Sequence, residues 1–165
     1  MTNALCCLLT AATKPQPEKR LMPAKFAEVL EALEFANTNG FGEYQAYVCK
    51  QSGKIYLHTD YDGLDSDELD NELPADIDDE DKYLALPDKR ELGLGKPLAL
   101  DFAGQNLAGD LDEVRRMFHK RGAYASFRRL LERRRVLDLW YDFERKATER
   151  ALREWCDLNS LALVG

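Results

Sequence analysis

Arg121-Gly122-Ala123-Tyr124-Ala125-Ser126-Phe127-Arg128-Arg129-Leu130-Leu131, followed by the segment from Asp138 to Leu158, decides the fold of this chain. Gly122 breaks one helix from the next. After it Tyr124, Phe127, Leu130 and Leu131 recur at the spacing of one helix face. Further on, Trp140, Phe143, Ala147, Ala151, Trp155 and Leu158 continue that spacing and predict a long final helix with one apolar stripe. Asp138 is its expected N-cap. At 1.5 Å per residue it is about 31 Å long. Asp142–Lys146, Arg145–Glu149 and Glu149–Arg153 are spaced to pair along its outer side. Aromatic residues at such spacing read as core, so Trp140, Phe143 and Trp155 are expected to pack on Tyr124 and Phe127.

Working towards the N-terminus, Pro97 to about Leu107 predicts a helix with Leu98, Phe102 and Leu107 inward. Asp110-Leu111-Asp112-Glu113 resembles a capping box and starts a helix to about Lys120. Asp88 is placed to cap a short helix ending at Gly93 or Gly95. Tyr83 to Leu86 reads as a short strand stopped by Pro87. Tyr44–Gln51 and Lys54–Thr59 predict a hairpin around Ser52-Gly53. A two-residue loop pairs Val48 with Leu57 and Cys49 with Tyr56. Ala46, Val48, Ile55 and Leu57 then share one face, with Tyr47, Tyr56 and His58 on the other. Pro23 to about Asn37 predicts a helix with Pro23 at its first position and Asn37-Thr38-Asn39-Gly40 as its stop. These elements predict an α+β fold: an N-terminal helix on a small antiparallel β-sheet, followed by a C-terminal cluster of α-helices.

The C-terminal third resembles a family of small bacterial proteins known only as uncharacterised protein family 0158 (UPF0158). The matching positions are Gly122, Ala123, Tyr124, Phe127, Arg128, Trp140, Tyr141, Phe143, Ala151 and Trp155. The resemblance is specific over residues 82–165 and looser over 24–60. The family's Arg-Arg pair after the aromatic residue is Ala125-Ser126 here, so half of any basic site built on that pair is missing. The resemblance implies no known activity.

At 165 residues the chain suits a single domain with an adequate core. Residues 1–20 read as a flexible arm of linker composition, and residues 21–165 as the domain. Ala4 to Leu9 is apolar, but Met1-Thr2-Asn3 carries no basic residue and the apolar run is short, unlike a signal peptide. Met22 is an alternative start. No apolar run reaches membrane-span length. Cys6, Cys7, Cys49 and Cys156 show no metal-site spacing, and Cys49 and Cys156 read as small core residues. This cysteine usage suits a reducing cytoplasm.

Charge is unevenly placed. Residues 60–81 hold twelve acids and no base; the chain carries −7 overall, so the remainder sums to +5. Residues 114–135 hold nine bases against Glu132 alone. The acidic block reads as a mobile, solvated excursion with too few apolar residues to pack. It fails as a calcium loop: Asp60 and Asp62 fit, but Leu64 and Asp65 fall where a ligand and a glycine are required. Gly93-Leu94-Gly95-Lys96-Pro97 lacks phosphate-loop spacing, and Pro97 removes an N–H donor. The only histidines, His58 and His119, have no nucleophile nearby in sequence. No catalytic residue, cofactor or metal centre is assigned. The candidate binding residues are Arg121, Arg128, Arg129, Arg133 and Tyr141. The leading expectation is a noncatalytic cytoplasmic protein-interaction module with an unknown protein partner. The alternative is a nucleic-acid-associated protein using Arg128, Arg129 and Arg133 against phosphates. An enzyme of unknown class is third.

Overall fold

The computed structural model describes residues 22–38, 43–60 and 73–165. The arm at 1–20, Gly40 and the acidic stretch 61–72 lie outside the described residues. The class is α+β, as the sequence predicts. In chain order the elements are β1 (Ala24–Lys25), α1 (Phe26–Ala36), β2 (Tyr44–Cys49), β3 (Ile55–Thr59), β4 (Tyr83–Ala85), α2 (Lys96–Asn106), α3 (Leu111–Met117), α4 (Ala123–Arg134), α5 (Leu137–Leu158) and β5 (Leu163–Val164).

α1 begins three residues later than Pro23 predicts. Ala24 and Lys25 instead pair in parallel with Leu163 and Val164, and the Ala24 N–H donates to Ala162 O at 2.8 Å. This extended pairing with the end of the chain takes the residues that a Pro23 start would need. At its other end α1 is closed by Asn37. Its side-chain nitrogen donates to Leu33 O at 2.8 Å and to Pro87 O at 3.3 Å, and its oxygen accepts the Lys89 N–H at 2.8 Å. One side chain thus ties the helix end to a loop fifty residues on.

The sheet has the order β3-β2-β4 and is antiparallel. Its hairpin register differs by two residues from the expected one: Val48 faces Ile55, Tyr47 faces Tyr56 and Ala46 faces Leu57. The loop is longer than two residues, because the Cys49 N–H donates to Lys54 O and the Gly53 N–H returns to Cys49 O, both at 2.9 Å. A shift of two preserves the faces. Ala46 and Val48 are therefore buried beside α1, with Ile55 and Leu57 half-buried on the same face. On the other face the Tyr56 and Tyr83 rings meet edge-on at 5.9 Å.

Residues 73–81, the described end of the acidic block, are held in turns rather than left as an unpacked excursion. Backbone hydrogen bonds make the turns, from Ile77 N–H to Pro74 O at 3.0 Å, Asp79 N–H to Asp76 O at 2.9 Å and Lys82 N–H to Asp79 O at 2.9 Å, and the exposed Lys82 ammonium pairs with Asp76 at 2.7 Å and Asp79 at 3.1 Å beside them. Residues 89–95 form turns, not the short helix expected after Asp88; the Asp88 carboxylate accepts the Arg90 N–H, and Gly93 takes a positive φ of 69°. Asp110 stands at the N-cap position of α3, as expected, but its side chain makes no cap hydrogen bond; the helix is shorter than expected and follows a tight turn at Ala108–Asp110. The Asp110 carboxylate is taken by both arms of Arg134, at 2.6 and 2.7 Å.

Two apolar clusters build the core. Phe102, Val114, Phe127, Leu130 and Trp140 lie in the helical one. Val29, Leu33, Val48, Leu152 and Cys156 lie in the one between sheet and helices. α5 reaches both, because its 22 residues span about 33 Å. Its buried stripe is turned from the expected one. Thr148, Leu152 and Cys156 are buried, Trp155 is half-buried, and Leu158 is 85% exposed. The Thr148 hydroxyl is satisfied by donating to Glu144 O at 2.9 Å. Burial pushes the Cys156 thiol up to about 11, so it is a neutral core sulfur at neutral pH. Val136, not Asp138, flanks the start of α5, and Asp138 sits in its first turn, where a negative charge favours the helix dipole. Arg145 bridges Asp142 at 3.3 Å and Glu149 at 3.0 Å. The expected Glu149–Arg153 pair does not form. Arg153 lies over the Phe26 ring at 3.8 Å and donates to Gly165 O, joining α5 to α1 and to the chain end.

Candidate interaction groove

α4 and α5 are joined by Arg135 and Val136 alone, and Arg135 turns the chain with a φ of 57°. So short a connection makes the two helices neighbours. Tyr124, Phe127, Arg128 and Leu131 lie at positions i, i+3, i+4 and i+7 of α4. Leu137, Trp140, Tyr141 and Glu144 repeat the same spacing on α5. Each set forms one helix face, and the two rows line a groove of about 160 Å³. Its floor is apolar and buried: Phe127, Leu131 and Trp140. Trp140 meets Phe127 edge-on at 5.2 Å and Phe102 at 5.3 Å, so the floor is fixed from two helices. Its rim is open. Tyr124 is 55% exposed and Tyr141 45%. Arg128 is also exposed and donates its Nε to Glu132 at 3.1 Å. That bond is the main cause of the upward shift of the Arg128 pKa.

Tyr124 corrects the sequence reading, which placed it in the core. Helical spacing identifies the face that carries a residue but not its depth, and Tyr124 sits one turn outside Phe127. Its ring packs edge-on against Phe118 at 5.1 Å. Tyr124 and Glu144 also line a larger cleft of about 620 Å³, which Lys89, Arg90 and Asn37 border from the far side.

The predicted binding residues are divided by the structure. Arg128 and Tyr141 meet in the groove. Arg133 turns away and donates to Glu113 of α3 at 3.2 Å. Arg129 is exposed outside the groove lining, and Arg121 lies in the exposed turn before α4. The basic block is partly neutralised: Arg115 pairs with Asp112, Arg128 with Glu132, Arg133 with Glu113 and Arg134 with Asp110. Three of those acids stand just before residue 114, where a count of the block from 114 to 135 does not reach them. Such exposed pairs add little stability, but they lower the field the block presents. The hydrogen bond from Arg134 holds the Asp110 carboxyl below its ordinary 3.8. That contribution is present above this value and is lost as pH falls through the depressed one. Arg116, Lys120, Arg121, Arg129 and Arg135 make no ion pair among the described residues.

His58 and His119 are both exposed. Among the described residues no group of three or more His, Cys, Asp or Glu is placed to hold a metal ion, and no helix is long and apolar enough to cross a membrane. No family model, no curated protein and no solved structure matches the chain.

Proposed function

We propose that this chain is a small, noncatalytic, cytoplasmic protein-interaction module that docks a protein partner across the α4–α5 groove. The observation that carries this reading is the pairing of a buried apolar floor with a rim of two exposed tyrosines and an arginine. Tyrosine and arginine concentrate binding energy at protein interfaces, because each offers a large contact area together with directional donors. The groove also gathers Tyr124, Phe127, Arg128, Trp140 and Tyr141, five of the positions that carry the resemblance to uncharacterised protein family 0158. A nucleic-acid reading has one observation in its favour, the five basic residues of the block without an acidic partner among the described residues. Against it, two of its three principal arginines, Arg128 and Arg133, are engaged by glutamates.

Affinity capture from native lysate separates the two readings. The intact chain is expected to retain a protein partner after nuclease treatment. Tyr124→Ser combined with Tyr141→Ser is expected to lower that retention by about tenfold or more, since each interface tyrosine is worth one to several kcal/mol. Capture that disappears with nuclease and is unchanged by the double substitution overturns the reading in favour of nucleic acid.

A further inference from the structure

The three-stranded sheet ends on two edges of different kinds. β4 closes one of them with only three residues, and Pro87, two residues past its end, has no N–H for a further ladder bond. β3 forms the other edge with five residues, Ile55-Tyr56-Leu57-His58-Thr59. That run contains no Pro, Gly, Asp, Glu, Lys or Arg, and its register with β2 is unbroken by a bulge. Sheets protect an outer strand with such charges, prolines and bulges. Among the described residues β3 pairs with β2 alone.

The phase of the ladder decides which backbone groups this edge presents. The Cys49 N–H donates to Lys54 O at 2.9 Å, and the Asp60 N–H donates to Glu43 O at 3.3 Å. Such bonds fall on alternate residues of an antiparallel strand, so Lys54, Tyr56, His58 and Asp60 turn their backbone groups towards β2. Ile55 and Leu57 turn theirs outward, where no strand meets them among the described residues. Their side chains are half-buried and line, with Ala32, a groove of about 400 Å³ between α1 and the edge. Glu28 and Glu31 border the same groove, and Lys25 pairs with Glu28 at 2.7 Å. The Lys54 ammonium stands over the Tyr56 ring at 4.8 Å. Lys54 and Asp60 flank the uncharged run as an exposed cation and an exposed anion. Neither makes an ion pair among the described residues.

We infer that the outer edge of β3 is a self-recognition surface, on which β3 of a second copy of this chain pairs antiparallel about a two-fold axis at Leu57. The strand is complementary to its own reverse. In this register Leu57 meets Leu57, and the two exchange backbone hydrogen bonds because both point outward. Ile55 lies opposite Thr59, Tyr56 opposite His58, and Lys54 opposite Asp60. The last pair falls between hydrogen-bonded pairs, where opposing side chains come closest. The two-fold axis makes it occur twice. Every β3 residue is then paired with a β3 residue, which a slip of two in either direction does not achieve. The half-buried Leu57 side chains meet on the α1 side and lose water there. The charge of −7 on each copy opposes association, and five residues per strand make a small interface. Dissociation in the range of about 0.01–1 mM is therefore expected.

The charges at the two ends of the strand provide the test. Sedimentation equilibrium of the full chain, up to about 1 mM, is expected to show an average mass that climbs from one copy towards two. Hydrogen exchange of the Leu57 amide is expected to slow over the same concentrations. Lys54→Asp alone sets two acids against two acids across the axis, and Asp60→Lys alone sets two bases against two bases. Each is expected to associate about tenfold more weakly or worse than the native chain. A mixture of the two variants is expected to associate again, because the acids of one face the bases of the other, and that recovery reports that both are folded. A chain that stays monomeric at about 1 mM, single variants that associate like the native chain, or a mixture no stronger than its parts each overturns the inference. A Leu57 amide protected equally at every concentration also overturns it, because the edge is then covered by a segment of the same chain.

Discussion

Trp140→Ala is expected to destabilise the chain by about 3–5 kcal/mol, the range for removing a large aromatic from a packed interior. Trp140 is only 8% exposed. Its ring meets Phe102 of α2 and Phe127 of α4 edge-on and stacks on Phe143 of its own helix at 6.4 Å. These edge contacts add to the area buried, and the three neighbours come from three helices that cannot all close the gap. Trp155, predicted from sequence to be equivalent, is half-buried on the other cluster, so Trp155→Ala is expected to cost clearly less. Urea denaturation of the two variants reads both values. A loss under about 1 kcal/mol at Trp140 contradicts a packed floor.

Gly53→Ala has the second largest expected effect, about 2–4 kcal/mol, from two causes that add. The φ of Gly53 is +67°, which costs a residue with a side chain about 1–2 kcal/mol. A Cβ there also lies 2.8 Å from Ala24 Cα and 2.9 Å from Ala24 N, so it strikes backbone rather than a side chain that moves aside. β1 then has to shift, and its pairing with β5 with it. Gly93 separates the two causes, because its φ is +69° but open space surrounds its missing Cβ. Gly93→Ala is expected to show the conformational cost alone. Equal losses at the two glycines contradict the close approach of the hairpin loop to β1.

The parts of this fold that are legible in the sequence are those fixed by local periodicity. α4 and α5 declare themselves by apolar spacing, and the hairpin by two runs around Ser52-Gly53. Contacts between distant residues are not legible. Nothing near Ala24 or Leu163 announces a two-residue parallel pair across almost the whole chain, so Pro23 reads as a helix start. The hairpin register depends on where the loop closes, and a two-residue error leaves the alternation of faces intact. Leu152 and Cys156 replace Leu158 on the buried stripe because α5 packs on a different cluster at its second half. The groove is half legible: Arg128 and Tyr141 are identifiable as polar residues beside an apolar face. Tyr124 is missed because spacing does not distinguish floor from rim. The pairing of Arg133 and Arg134 is missed because Glu113 and Asp110 approach from the preceding helix and turn.

The central claim is that protein, not nucleic acid, occupies the α4–α5 groove. The most direct measurement is photo-crosslinking in cells with p-benzoylphenylalanine in place of Tyr141, an aromatic group at the groove rim. The control carries the same group in place of Gln105, which is exposed on α2. The expected result is a crosslinked band of higher mass at position 141 that resists nuclease, yields to protease and is absent at position 105. A band at 141 that nuclease removes, or equal bands at the two positions, contradicts the claim.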